Sequence, residues 1–177
     1  MQGTPPTSAV ERSDFITAMR RVASSVTVVT TDGTAGRHGA TVSAFSSVSA
    51  DPPTVLVCLH AKSRIAAAVE GNGRFCVNVL PDHSDSIADR FAGAHDREIA
   101  DRFTGIPCQG DKGMPPQIEG ATSFACSVDN VVQSGSHLVV FGRVEAVGHG
   151  DREPLTYLDG AYHRVTPKTV QTMGAVN

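Results

Sequence analysis

Hydroxyl groups recur along one stretch of this chain, at Thr41, Ser43, Ser47 and Ser49, with Phe45 among them. If residues 40–50 run as one strand, successive side chains alternate between two faces. These five then share one face, and Ala40, Val42, Ala44, Val48 and Ala50 share the other. A solvated strand face would be expected to carry Lys, Glu and Arg. Short hydroxyls instead donate and accept while letting the backbone approach a flat polar ligand. An exposed face that merely tolerates Ser and Thr has the same composition. A second chemical feature is Ser63, a natural N-cap flanked by Lys62 and Arg64 ahead of an alanine-rich run. A helix starting there offers free backbone N–H groups, the positive end of its dipole and two cations, a combination suited to a phosphate. An ordinary capped helix is the alternative.

Other chemistries find little support. The seven histidines form no HxxxH pair, so no metal centre is expected. Cys58, Cys76, Cys108 and Cys126 are widely spaced without a CxxC, and the first, second and fourth lie in apolar strand-like segments, which favours buried thiols over disulfides. Neither GxGxxG nor GxxxxGK[ST] occurs, which disfavours Rossmann and phosphate-loop domains. With 15 basic against 18 acidic residues and no long basic run, the chain lacks the footprint of a nucleic-acid binder, leaving small molecules as the expected partners. No apolar run is long enough to span a bilayer, and the polar, proline-rich start is unlike a signal peptide, so a cytoplasmic location is expected.

The elements that must position these residues can be outlined in order. At 177 residues one domain is expected, spanning 13–166 between tails at 1–12 and 167–177. Ser13-Asp14 offers a cap for a short helix with Phe15, Ile16, Met19 and Val22 at helical spacing. Val26–Thr31 is rich in β-branched residues, and a loop from Asp32 to about His38 leads into residues 40–50 as an antiparallel partner. Asp51-Pro52-Pro53 ends that strand, and the nearly continuous apolar run 54–59 predicts a fully buried one. The Ser63 helix should stop at Gly71-Asn72-Gly73. Residues 74–80 form a further strand in which Asn78, if buried, needs a partner. Asp82 or Ser84 caps a helix through Ile87, Ala88 and Phe91, 97–103 adds a helical turn or two, and 104–120 is irregular. Segments 122–133 and 137–147 form a hairpin about Ser134-Gly135-Ser136. Tyr157 and Tyr162, the only tyrosines, flank a Gly and either cover a ring or simply pack. The fold class is mainly β with short helices, a closed or partly closed antiparallel barrel.

From about residue 14 to 165 the chain resembles the short-chain flavin reductases of the FMN-binding split-barrel superfamily, which supply reduced flavin to two-component monooxygenases. The resemblance rests on residues 26–31, on the run 40–53 with its following Val-Leu-Val-Cys-Leu, on Ser63-Arg64, on 75–80, and on Pro154-Leu-Thr-Tyr157 with Gly160-Ala-Tyr162. The run 40–53 is its specific part. The resemblance implies a split barrel, and it places Thr41, Val42, Ser43 and Ala44 along the isoalloxazine edge with Ser47, Val48 and Ser49 close behind. It puts Cys58, Leu59 and His60 in the lining, Tyr157 and Tyr162 near the flavin, and Ser63 with Arg64 on its phosphate. Two lines, one from helix physics and one from resemblance, thus meet at Ser63. It further implies FMN or FAD as cofactor, NADH or NADPH as reductant, a homodimer with sites near the interface, and a separate monooxygenase as recipient. His137 matches the histidine of a Gly-Asp-His turn near the nicotinamide, although Ser136 stands where relatives have Asp; Ser25 likewise stands where many have Gly. A flavin carrier or sensor without reductase activity, and a relative of the pyridoxamine-phosphate oxidases, are the alternatives on the same barrel.

Overall fold

The computed structural model describes residues 10–168. The expected tails at 1–12 and 167–177 lie largely outside that range. Helix α1 (Arg12–Met19) leads into strands β1 (Ser24–Ser25), β2 (Thr27–Thr31), β3 (His38–Val42), β4 (Phe45–Ala50) and β5 (Pro53–His60). Helix α2 (Arg64–Asn72), β6 (Arg74–Val79) and helix α3 (Asp85–Ala92) come next. Short strands β7 (Cys108–Gln109) and β8 (Gln117–Ile118) precede the long hairpin β9 (Thr122–Ser134) and β10 (His137–Gly148), and β11 (Leu155–Leu158) and β12 (Ala161–Arg164) complete the chain.

Seven strands form one antiparallel sheet in the order β3-β2-β6-β9-β10-β5-β4. β2, every residue of which is buried, lies between β3 and β6, which is where a β-branched segment gains most from packing on both faces. The two outermost strands, β3 and β4, are consecutive in sequence, so the chain itself brings the sheet's edges together at Ser43-Ala44. There the Ala44 carbonyl accepts a hydrogen bond from the Cys58 N–H at 3.0 Å. A second sheet, β1-β11-β12, joins the first where Val26 donates to the Leu155 carbonyl at 2.8 Å and Leu80 donates to the Val26 carbonyl at 3.0 Å. The mainly β, antiparallel barrel expected from the sequence is therefore present.

The apolar interior has two parts. Val57, Leu59, Val69, Phe75, Val77 and Val140 centre the first, against which α2 packs through Ile65, Ala66 and Val69. Val28, Leu80, Phe91, Phe103 and Leu155 form the second, between the sheet and α3. Phe91 and Phe103 meet edge to face at 5.0 Å. Gly39 lets them do so, because a Cβ there would sit 2.5 Å from the Phe91 ring. Asn78, fully buried, is satisfied on both sides: its Nδ2 donates to the Val28 carbonyl at 3.0 Å and to Thr30 Oγ1 at 3.2 Å, and its Oδ1 accepts from the Ile118 N–H at 2.7 Å.

The structure departs from the sequence expectation in several elements. The hydroxyl stretch is two strands, with a corner at Ser43-Ala44, because β3 pairs with β2 whereas β4 pairs with β5. The corner and an irregularity between Ser47 and Ser49 shift the phase of the side chains. Ala40 and Val42 pack on the first core, but beyond the corner it is Phe45 that does so, while Val48 is 48% exposed. β5 is not buried on both faces: Val55, Val57 and Leu59 point inward, and Leu56 and Cys58 are half-buried on the outer face, since only one side of β5 meets the barrel interior. Residues 97–103 form turns rather than a helix, pinned by Arg102, which pairs with Asp96 and donates to the Phe91 carbonyl at 2.7 Å and the Gly39 carbonyl at 3.1 Å.

The helix termini differ in detail too. α1 begins at Arg12 without a side-chain cap, and Phe15, Ile16, Met19 and Val22 are exposed. Ser84 occupies the N-cap of α3 without a side-chain bond. α2 continues through Gly71 and Asn72 to a left-handed Gly73, φ 68°, because Asn72 is anchored to the opposite loop by Thr31 Oγ1 at 3.1 Å and the Gly36 carbonyl at 2.9 Å. Cys76 and Cys126 are buried thiols as expected, Cys58 is half-buried, Cys108 is exposed, and all four are free.

Candidate flavin site

Two cavities lie along the β3–β4 segment. One, of about 520 Å³, lies beside Ala40 and is lined by Ser63 and Arg64 together with Arg37, His38 and Arg102. The other, of about 800 Å³, lies beside Ser43 and Ala44 and is lined by Phe45, Leu56 and Tyr157. The segment 40–44 runs from one to the other.

The first cavity is built around the start of α2. Ser63 is its N-cap, as the sequence predicts: Oγ accepts from the Ala66 N–H at 3.3 Å and donates to the His60 carbonyl at 2.6 Å. Its hydroxyl proton is therefore committed within the turn. The N–H groups of Arg64 and Ile65 in the first helical turn have no acceptor within the helix, and these are the donors an anion would meet. Charge supports the same conclusion. Arg102 is held by Asp96 at 2.6 Å and Arg37 by Asp101 at 2.6 Å, whereas Lys62 and Arg64 make no ion pair among the described residues. The Asp96 carboxyl is held below its usual range first by the Arg102 hydrogen bonds, opposed by desolvation and helped further by the positive charges of Arg102 and Arg64. Cation, helix dipole and free N–H groups converge on one point, which suits a phosphate. Arg37, His38 and Arg102 were not singled out from the sequence. They are distant along the chain, and the 93–104 connection that brings Arg102 to the cavity carries no recognisable period.

The structure distributes the remaining sequence-predicted residues as follows. Ser43 and Ala44 are exposed toward the second cavity, with Tyr157 beside them. Thr41 turns toward α3, where its Oγ1 donates to the Ala88 carbonyl at 2.6 Å, and Val42 packs on the first core. Ser47, Val48 and Ser49 are exposed on β4 outside both cavities, with Ser49 Oγ bonded to the Asp51 N–H and carbonyl. Leu59 is a core residue, and Cys58 lies half-buried on the opposite face of β5. His60 and His137 face one another across β5 and β10, ring centroids 5.5 Å apart. Tyr162 stands edge to face with Tyr157 at 5.8 Å and donates its hydroxyl proton to Asp89 at 2.8 Å. Burial, and then the Asp89 carboxylate, push the Tyr162 hydroxyl up to about 12, so it remains a hydrogen-bond donor.

The residues fit a phosphorylated flat heterocycle: an anion site at α2, an adjoining segment of small residues with accessible backbone at Ser43-Ala44, and an aromatic side chain nearby. Among the described residues no group of three or more His, Cys, Asp or Glu side chains is placed to share a metal ion, and no helix is long and apolar enough to cross a membrane.

Comparison with known proteins agrees with this geometry. A family model described as a flavin reductase like domain matches residues 19–166. The FMN reductase (NADH) RutF of Yersinia enterocolitica is 38% identical over 157 residues, covering 88% of this chain and 85% of that protein. Nitrilotriacetate monooxygenase component B from Mycobacterium thermoresistibile superposes with a TM-score of 0.80 at 30% identity, covering 89% of this chain and 88% of the other. The Streptomyces globisporus C-1027 NADH:FAD oxidoreductase SgcE6, solved with NAD and FAD fragments, superposes with a TM-score of 0.80 at 25% identity over 92% of this chain and 99% of the other. A match across most of the sheet, both cavities and the start of α2 leaves one assignment: the chain belongs to the flavin reductase like domain family.

Proposed function

We propose that this chain is an NAD(P)H:flavin oxidoreductase that takes a hydride from the nicotinamide, transfers it to FMN or FAD, and releases reduced flavin to a separate monooxygenase. The observation that carries the reading is Arg64, which makes no ion pair among the described residues, at the N-terminus of α2 beside segment 40–44, in a chain of this family. Bound flavin would supply the redox chemistry, as the two-electron acceptor for a hydride from the nicotinamide, with NADH and a proton consumed as NAD⁺ and reduced flavin form.

The protein's contribution is binding and placement. Arg64, with the N–H groups of Arg64 and Ile65, holds the phosphate, and Ser63 keeps that turn rigid by capping it. Ser43 and Ala44 offer exposed backbone and a short hydroxyl to the ring edge, where fixed donors stabilise developing negative charge. Tyr157 lines the neighbouring cavity and offers its ring to the flavin there. His137 places the nicotinamide. No side chain in this set has to act as a general acid or base. Cys58 serves as a packed thiol, since among the described residues no base is hydrogen-bonded to its sulfur. Relatives named as FMN reductases using NADH favour that pair of substrates, and the FAD oxidoreductase neighbour keeps FAD in contention. The exposed apolar residues of α1 and Leu56 beside the second cavity favour a homodimer with the site near its interface, and a cytoplasmic location follows from the reaction's need for reduced nicotinamide.

The His137 assignment has a direct test. His137→Ala is expected to lower kcat/KM for NADH about tenfold, the loss of one good contact, while flavin titration still shows binding. Loss of flavin binding instead would remove His137 from the nicotinamide side.

A further inference from the structure

β5 ends and β10 begins side by side, and this makes His60 and His137 register partners with rings edge to face, centroids 5.5 Å apart and planes at 77°. Each ring is also tied to its own turn. His60 Nδ1 accepts the Lys62 N–H at 3.2 Å, and Ser136 Oγ lies 3.0 Å from His137 Nδ1. A backbone amide only donates, so His60 Nδ1 is the acceptor in this contact. The backbone reinforces the arrangement. The His60 carbonyl accepts from the Ser63 N–H at 2.9 Å and from Ser63 Oγ at 2.6 Å, while the Ala61 N–H donates to the Ser136 carbonyl at 2.9 Å. The turn 60–63 is thus bonded both to the start of α2 and to the hairpin turn that carries His137.

We propose that His60 is a positioning residue, whose imidazole, locked by the Lys62 N–H, braces the His137 ring and acts on the nicotinamide only through it. The proposal rests on the reading of His137 as the nicotinamide contact. Both imidazoles are exposed at the rim of the barrel, where a lone His137 ring would sample several rotamers. Contact with the His60 ring, added to the Ser136 contact, restricts that freedom before nicotinamide arrives, and so reduces the ordering cost of binding.

A double-mutant cycle tests this with the full chain. His60→Ala, His137→Ala and the double variant are compared by KM and kcat for NADH, with flavin affinity measured by titration. Aromatic pairs of this geometry couple by about two- to tenfold, so His60→Ala should raise KM for NADH by about that factor while kcat changes by less than about twofold. Adding it to His137→Ala should produce no further rise. His60→Phe, which keeps an edge-to-face ring but loses the Nδ1 acceptor, should recover part of the loss; His60→Asn, which can keep the Lys62 bond but has no ring, should not. An equal rise from His60→Ala in both backgrounds would mean that His60 acts independently and would overturn the proposal. If His137→Ala raises KM and His60→Ala does not, only the positioning role fails. If His137→Ala itself leaves NADH kinetics unchanged, the nicotinamide reading fails and the brace goes with it.

Discussion

Replacing Ser63 and Arg64 together by alanine is expected to weaken flavin phosphate binding about 100-fold, measured as Kd by fluorescence titration. The estimate follows from the site's two parts. Arg64 supplies a charged contact unpaired by any protein carboxylate among the described residues, worth about 1.5–3 kcal/mol in an anion complex. Ser63 holds the first turn in the geometry that aims the free N–H groups, and its loss costs about 1 kcal/mol of helix stability. About 3 kcal/mol in all corresponds to about 100-fold in Kd. Riboflavin, which has no phosphate, should show a much smaller change between the wild-type and variant proteins. Equal losses for FMN and riboflavin would place the phosphate elsewhere.

Asn78→Leu should damage the fold severely. The two side chains are similar in size, so the effect isolates hydrogen bonding. Leucine leaves the Val28 carbonyl, Thr30 Oγ1 and the Ile118 N–H without the partner that Asn78 provides. Thr30 keeps a bond to the Pro116 carbonyl, so two groups bear most of the cost. At about 1–3 kcal/mol for each buried group left unsatisfied, the loss is about 3 kcal/mol, or about 10 °C in melting temperature for a domain of this size. A melting temperature within about 2 °C of wild type would show that Asn78 is not the joint between β2, β6 and β8 that its bonds describe.

The Asn78 network shows what sequence can and cannot convey here. That a buried asparagine in an apolar strand needs partners follows from desolvation alone; that one of them is Ile118 follows only from the fold, because β8 lies 40 residues away in a connection without a pattern. Local features were legible for local reasons. The Ser63 cap, the Gly73 stop and the Ser134–Ser136 hairpin turn each depend on residues within one or two turns of one another. The corner at Ser43-Ala44 was not legible, since nothing in Thr-Val-Ser-Ala-Phe signals a break without glycine or proline. The corner exists because β3 and β4 are claimed by partners at opposite ends of the sheet order.

The candidate site divides the same way. Ser63, Arg64, Ser43 and Ala44 come from two contiguous stretches and were visible. Arg37 and Arg102 reach the first cavity through loops, and their charges are spent on Asp101 and Asp96, a neutralisation that leaves Arg64 distinctive and that no residue count reveals. The half-exposure of Cys58 and Leu56 was missed because an unbroken apolar run looks the same whether its second face meets a core or a cavity.

The central claim is hydride transfer to flavin at this site, and its most direct measurement is NADH consumption by the purified protein in air, with FMN, with FAD and with neither, repeated with NADPH. The account predicts turnover that requires added or bound flavin and proceeds faster with one nicotinamide than the other. Flavin bound without NADH or NADPH oxidation would contradict it and leave a flavin carrier on the same barrel.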